Sequence, residues 1–339
     1  MMNRLLLIFI FSLQFFSYGC SQKVAPDRFL KTTILMDTFV QVIIYDEAYS
    51  HEQLVEIWEE AITKGRLLEK KLSNFDMASE INKLNFERKA AVSSELFEVL
   101  SIAKNVSVIT DGEFDVTVSP ILKKNGFYSN MPKEIFEKIP DDIEKIGFKY
   151  IIISGETREI QLLNDVWIDS SGISKGYIVD KISATFFSKG IDKFLVNAGG
   201  DIYCNYAKNG EGWTIGIQSP KNDNVFRVVK ISKKAIATSG DYENVVVENE
   251  TERLLSHIVN PRKKTVLEER QVSFTVIADT CVRADALATG MMAMGKAKAI
   301  ELANSLDDVE LIIVDGEAND ILTSNGAKKY IFDVKSEEL

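Results

Sequence analysis

The apolar residues of this chain change their spacing part-way along, and that change limits the fold more than any single residue does. From 51 to 71, Leu54, Trp58, Ala61, Ile62 and Leu68 recur at helical intervals opposite Glu56, Glu59, Glu60 and Lys64, giving one apolar and one charged face. Leu96, Val99, Leu100, Ala103 and Val106 predict a second helix over 93–110, and 133–147 reads as short helices split by Pro140. From 149 the runs shorten. Stretches 149–169 and 193–277 are β-rich and broken by Gly, Asn and Pro, with a helix predicted at 174–189. Helix returns over 281–305, and apolar runs such as 311–314 finish the chain. Ahead of the first helix, 31–45 reads as strand with a break near Asp37. This succession predicts an α+β fold of mixed sheets flanked by helices. With 45% hydrophobic residues and no Pro-, Ser- or Gly-rich linker, 31–339 reads as one main body.

The first residues differ from the rest. Arg4 precedes an almost unbroken apolar run from Leu5 to Phe16, then Ser17-Tyr18-Gly19-Cys20. The run is too short for a permanent membrane helix, which needs about 20 residues, and it reads as an export signal over 1–19. A small residue just before a cysteine resembles a lipoprotein signal, with acylation of Cys20 and a tether over 20–30; a plain secretory signal is the alternative. The first reading places the chain in the cell envelope, lipid-anchored on the extracytoplasmic side, and stable anchoring then needs more than one acyl chain. Cys204 and Cys281 are then the remaining cysteines, too few for a disulfide framework and best read as small buried side chains. Formal net charge is −10, which makes nucleic acid a poor partner. Any polyphosphate must be neutralised locally, by a metal, a Lys or helix-terminal amides.

Three segments place acids, turn residues and a Lys where a β-run meets a helix. In Asp169-Ser170-Ser171-Gly172-Ile173-Ser174-Lys175-Gly176, the helix start offers amides to a ligand and Lys175 offers a phosphate partner. Equally, Asp169 and Ser170 are helix caps and Lys175 a solvated first-turn residue. In Asn197-Ala198-Gly199-Gly200-Asp201, the paired glycines permit positive φ, and a tight turn is the simpler account. Asp285 and Thr289 stand four apart, so their oxygens share one helix face. Such a pair usually decorates a polar face, but a carboxylate and a hydroxyl are also hard ligands suited to Mg²⁺.

Taken together with others in order, these segments resemble the ApbE family, the FAD:protein FMN transferases. The resemblance rests on Met36-Asp37-Thr38, Ser73-Asn74-Phe75 with Ser79-Glu80-Ile81-Asn82, Gly112 to Val118, Asp169 to Asp180, Val196 to Ile202, Ala237 to Tyr242, Ser256 to Pro261 and Ala284 to Thr289. It implies an ApbE-like, T-fold-related architecture. It implies a metal, Mg²⁺ or alternatively Mn²⁺, held by the Asp285 carboxylate, the Thr289 hydroxyl and the Gly172 carbonyl. FAD as substrate would be contacted around Met36, Phe75, Glu113, Phe114, Asp115, Asp169, Lys175, Ile258 and Ala288. Lys175 and Asp285 would serve catalysis, and we assign His257 the role of general base. The reaction implied moves FMN from FAD to a Ser or Thr of an exported redox protein, releasing AMP. One rival keeps the site, a metal-dependent FAD hydrolase, and another is of a different class, a flavin-binding lipoprotein without chemistry. The sequence departs from the family pattern at Asp37, Phe75, Ser171, Ser174 and Asn260, where Gly, Tyr, Gly, Ala and Asp are usual. Asp37 is expected to crowd or repel FAD beside Met36.

Overall fold

The computed structural model describes residues 28–222, 224–248 and 252–332. The signal segment 1–19 and Cys20 lie outside the described residues. The strands are β1 (Phe29–Leu35), β2 (Thr38–Ile44), β3 (Lys89–Ala91), β4 (Ile151–Ser154), β5 (Glu159–Leu162), β6 (Phe194–Ala198), β7 (Asp201–Cys204), β8 (Trp213–Gln218), β9 (Val225–Ile231), β10 (Lys234–Gly240), β11 (Val245–Val247), β12 (Leu254–Asn260), β13 (Thr265–Glu268), β14 (Val272–Ala278), β15 (Glu310–Asp315), β16 (Asp320–Thr323) and β17 (Ile331–Phe332). The helices are α1 (His51–Leu72), α2 (Glu80–Glu87), α3 (Ser94–Ile109), α4 (Ser119–Lys124), α5 (Lys133–Phe136), α6 (Ser171–Ser188), α7 (Cys281–Met294) and α8 (Lys296–Ser305).

An eight-stranded sheet in the order β1-β2-β6-β7-β10-β14-β15-β16 forms the centre, and every pairing in it is antiparallel. Side-chain alternation decides the layers. Val196, Ala237, Phe274, Val276 and Ile313 face the main core, which the helices share. Leu195, Ile236, Ile277 and Ile312 face the other way, against Ile215, Ile217 and Val229 of the small sheet β17-β9-β8. Covered on both sides, β14 is buried at all of its residues. This is the expected α+β arrangement, with helices on one face and a second sheet on the other. No helix among the described residues is long and apolar enough to cross a membrane.

Local chemistry accounts for most element ends. Ser50 and Gln53 form a capping box at the start of α1, beside the exposed His51. The expected break near Asp37 is a two-residue hairpin turn between β1 and β2, with Met36 and Asp37 both at φ 55°. That backbone favours Gly, and Asp is among the few side chains that tolerate it. Asp37 is exposed there.

Four boundaries depart from the sequence reading, the first being α6, which starts at Ser171, three residues before the predicted 174. Strand β1 begins inside the stretch assigned to the tether, because Phe29 is buried and pairs with Ile44. The predicted 281–305 helix is two helices, broken at Gly295 with φ 87°, a conformation that ends an α-helix at little cost for glycine. Of the helices expected over 133–147, only the single turn α5 forms, since a segment bracketed by Pro132 and Pro140 is too short to propagate. Cys204 and Cys281 are buried free thiols.

Candidate active site

The site is built where α6 crosses α7. The crossing is close because residue 176 is glycine: a Cβ there would stand 2.4 Å from the Cys281 carbonyl oxygen and 2.8 Å from Asp285 Cβ. Asp180, one turn further along α6, accepts the N–H groups of Cys281 at 2.8 Å and Val282 at 2.9 Å, and so caps the start of α7. This fixes Asp285 against α6, where its Oδ2 accepts the Gly176 N–H at 2.9 Å. In an uninterrupted helix that N–H belongs to the Gly172 carbonyl, so the carboxylate competes for it and loosens the carbonyl's claim. Thr289 follows one turn after Asp285. A Cβ on Gly172 would lie 3.7 Å from Thr289 Oγ1, and Ser239 Oγ of β10 lies 3.2 Å from the same hydroxyl. Gly172, Asp285 and Thr289 line one cavity together with Lys175 and His257.

Charge is concentrated here. Lys175 Nζ pairs with Asp201 Oδ2 at 2.7 Å, and Asp201 is 2% exposed. Burial alone would lower the Lys175 ammonium, but the charges of Asp201 and Asp285 outweigh it, so its pKa is raised. Asp285 is pushed up to about 7, first by burial and then by the charge of Asp201, while Lys175 and the Gly176 N–H pull the other way. Two buried carboxylates thus share one ammonium. Lys175→Met removes it, and breaking a buried pair from one side costs about 3–5 kcal/mol. Because the Lys175 side chain keeps 37% exposure, water compensates in part and the low end applies. In calorimetry with chelator, the melting temperature is expected to fall in Lys175→Met, and adding Asp201→Asn to restore most of it. A double mutant as unstable as the single would show that the two charges are not coupled.

The other walls come from distant segments. Phe114, Glu113 and Asp115 arrive from the loop after α3, and Ile258 and His257 from β12. Burial raises the Glu113 carboxyl, against the pull of Arg262, and its buried Oε2 has no hydrogen-bond partner. Asp115 is internally engaged, accepting from Thr117 and the Phe148 N–H. Asp169 is similarly held by Asn74 at 2.6 Å, the Ser171 N–H at 2.7 Å and the Tyr128 hydroxyl. Its carboxylate therefore anchors the start of α6 as well as lining the cavity. The half-buried His257 bonds through Nδ1 to the Glu243 carbonyl at 2.9 Å. A carbonyl only accepts, so Nδ1 carries the proton and Nε2 keeps its lone pair. Burial lowers the His257 pKa, which favours the neutral ring.

Three predicted contacts are not brought into the cavity wall. Met36 sits in the β1–β2 turn with its N–H on Glu69, Phe75 is 46% exposed with its ring roughly perpendicular to that of Tyr128, and Ala288 has no exposed surface in the core.

The sequence model of the ApbE family matches residues 36–313, most of the chain. The chain belongs to the ApbE family. It is 31% identical to the FAD:protein FMN transferase of Vibrio cholerae over 280 residues, spanning 78% of this chain and 80% of that protein. With the FAD:protein FMN transferase of Escherichia coli K12 the identity is 31% over 306 residues, 85% of this chain and 86% of that one. The fold superposes on the ApbE protein of Thermotoga maritima with a TM-score of 0.78 at 25% identity, covering 90% of this chain and all of that one. The flavin transferase ApbE of Vibrio cholerae gives 0.73 at 23% identity and shares the fold, covering 89% of this chain and 99% of that one.

Within this ApbE fold, several residues that build the cavity escaped sequence reading. Asp201, next to the glycines best read as a tight turn, is the partner of Lys175. Asn74 and Tyr128 position Asp169, and Ser239 bonds Thr289. Asn74, Asp201 and Ser239 lie in the recognised family segments, which was the available signal. Tyr128 carries none.

Proposed function

We propose that this chain transfers the FMN half of FAD to a Ser or Thr hydroxyl of an exported redox protein, releasing AMP. The observation that carries the reading is the gathering of Gly172, Lys175, Asp285 and Thr289 around one cavity at the start of α6, in a chain of the ApbE family. The donor set suits a small hard dication. It offers one carboxylate, one hydroxyl and one carbonyl, and no cluster of three His, Cys, Asp or Glu competes among the described residues. Mg²⁺ takes such ligands while leaving positions for water and phosphate oxygens, with Mn²⁺ the alternative. When bound, the ion supplies charge stabilisation to the diphosphate.

The chain's own residues supply the rest. Lys175 and the Gly172 N–H, the one first-turn amide of α6 that Asp169 and the Ser170 carbonyl do not already hold, stabilise negative charge on the diphosphate. The unpartnered Glu113 Oε2 is an acceptor for a hydroxyl or N–H of the dinucleotide. His257 Nε2 takes the proton of the acceptor hydroxyl as its oxygen bonds to the FMN-side phosphorus; the bond from that phosphorus to the bridging oxygen breaks, and AMP leaves. His257→Ala is expected to slow transfer about 10²–10⁴-fold without weakening FAD binding. Since burial depresses its pKa, the wild-type rate should hold through neutral pH and fall only below the ordinary imidazole range. A variant with an unchanged rate and acid limb would remove His257 from the mechanism.

Mass spectrometry of an acceptor after incubation with FAD, Mg²⁺ and the protein tests the function directly. An adduct of FMN less water is expected. AMP release that is equally fast without any acceptor would make the enzyme a hydrolase, and FAD binding without either product a carrier. We further propose that Cys20 is lipidated and tethers the body to the outside of a membrane. Metabolic labelling with a palmitate analogue should mark the wild type and not Cys20→Ala.

A further inference from the structure

A second groove runs beside the active cavity and touches six consecutive residues of β8, Trp213 to Gln218. Successive side chains of a strand point to opposite faces, so only a groove along the strand's edge meets all of them. That edge is open among the described residues, where β8 pairs with β9 alone. The register says which groups face it. Lys230 donates its N–H to the Tyr330 carbonyl at 2.8 Å, on the side of β9 away from β8. Its pair with Thr214 is therefore the kind without mutual hydrogen bonds, and Gly216 opposite Val228 has the same phase. The N–H and C=O groups of Thr214 and Gly216 consequently point into the groove, and both residues are exposed.

The floor of the groove is mixed: Ile43, Leu195 and Ile236 of the central sheet alternate with Gln41, Asn197 and Thr238 on the same face. No Lys or Arg lines it, so it has no cationic side chain for a phosphate. What it offers is unpaired main chain, which recognises another main chain. Thr238 and Glu243 line this groove and the active cavity alike, and the Glu243 carbonyl is the one that orients His257.

We propose that the acceptor docks here: an extended segment of the flavin-accepting protein adds as a strand to the free edge of β8 and passes its hydroxyl over Thr238 and Glu243 to His257. This rests on the transferase reading and names how that site receives its partner.

The test begins with a library of Thr-centred ten-residue peptides, screened for the FMN adduct by mass spectrometry with the full-length protein, FAD and Mg²⁺. The best peptide is then N-methylated at one position at a time. Strand addition predicts that transfer falls at least tenfold at alternate positions and changes little between them, because only every second N–H pairs with β8. Thr214→Pro, a substitution that edge strands tolerate, should raise KM for the peptide at least tenfold with kcat and FAD affinity within about twofold. Loss of transfer without a period of two, a wild-type KM in Thr214→Pro, or β8 buried in a dimer that the peptide fails to displace would each overturn the docking edge. A wild-type protein that binds FAD yet labels no peptide would overturn the transferase reading, and the docking edge with it.

Discussion

Asp285→Asn is expected to reduce AMP release from FAD on the order of a thousandfold at saturating substrate, the scale of losing one preorganised electrostatic contact at a reacting centre. The amide keeps the volume of the carboxylate and still accepts the Gly176 N–H, so the helices stay in place while the charge is gone. Added Mg²⁺ should then protect the wild type against heat and leave the variant unmoved. The pH dependence carries a second signature. Asp285 stands at about 7 against 3.8 for an ordinary aspartate. An acid whose pKa is raised by folding favours the folded state below its unfolded value and loses that contribution as pH climbs through the folded one. Without metal, the wild type should therefore lose stability between about pH 4 and pH 7 at this position, and the Asn variant should lack that part of the slope. Equal profiles by calorimetry, or a variant that still cleaves FAD, would remove Asp285 from the centre of the site.

Gly176→Ala is expected to be the most damaging small change in the molecule. The added methyl would meet the backbone carbonyl of Cys281 at 2.4 Å and its carbon at 2.7 Å, and backbone cannot swing aside as a side-chain end can. Helices α6 and α7 must part, which costs about 3 kcal/mol or more, the upper range for overpacking. The parting also pulls Asp285 from the Gly176 N–H and Thr289 from Gly172. Stability and metal-dependent activity should fall together. Gly172→Ala is the control: its methyl would find Phe114 at 3.4 Å and Thr289 at 3.7 Å, ordinary contacts that the fold should accept. If urea midpoints place the two variants level, the close crossing is not what the geometry implies.

Periodicity made the helices α1 and α3 legible to within a residue or so, because each buries one face and each begins at a serine that accepts a first-turn N–H. The β1–β2 turn was legible as a break at Asp37, though not as a left-handed pair, since Asp at that place carries weaker turn information than Gly. Gly295 is the local sign that divides 281–305, since glycine commonly ends a helix, but a lone interior glycine is also tolerated and the apolar residues on both sides read as one helix. At the site, residue types were legible and their partners were not. Lys175 and Asp201 are 26 residues apart and meet only because α6 packs on β6 and β7. Asp180 sits on a predicted helix with nothing in its spacing to mark it, yet it caps the start of another helix 101 residues later. Burial and long-range pairing settle those roles, and neither is written in spacing.

The position of α7 in the chain has a consequence for how the protein comes to be active. This helix is threaded between β14 and β15, and those strands pair with each other in the central sheet. Asp285 and Thr289 take their places only once the chain through Met294 is available, because α7 packs on α3, α6, β7, β10 and β14, all of which precede it. A ribosome-bound chain shorter than that has the loop of Glu113 and the start of α6 but no counterpart for them. Such non-local closure makes for slow maturation, and it withholds the dinucleotide-cleaving centre until the chain through α7 has been made.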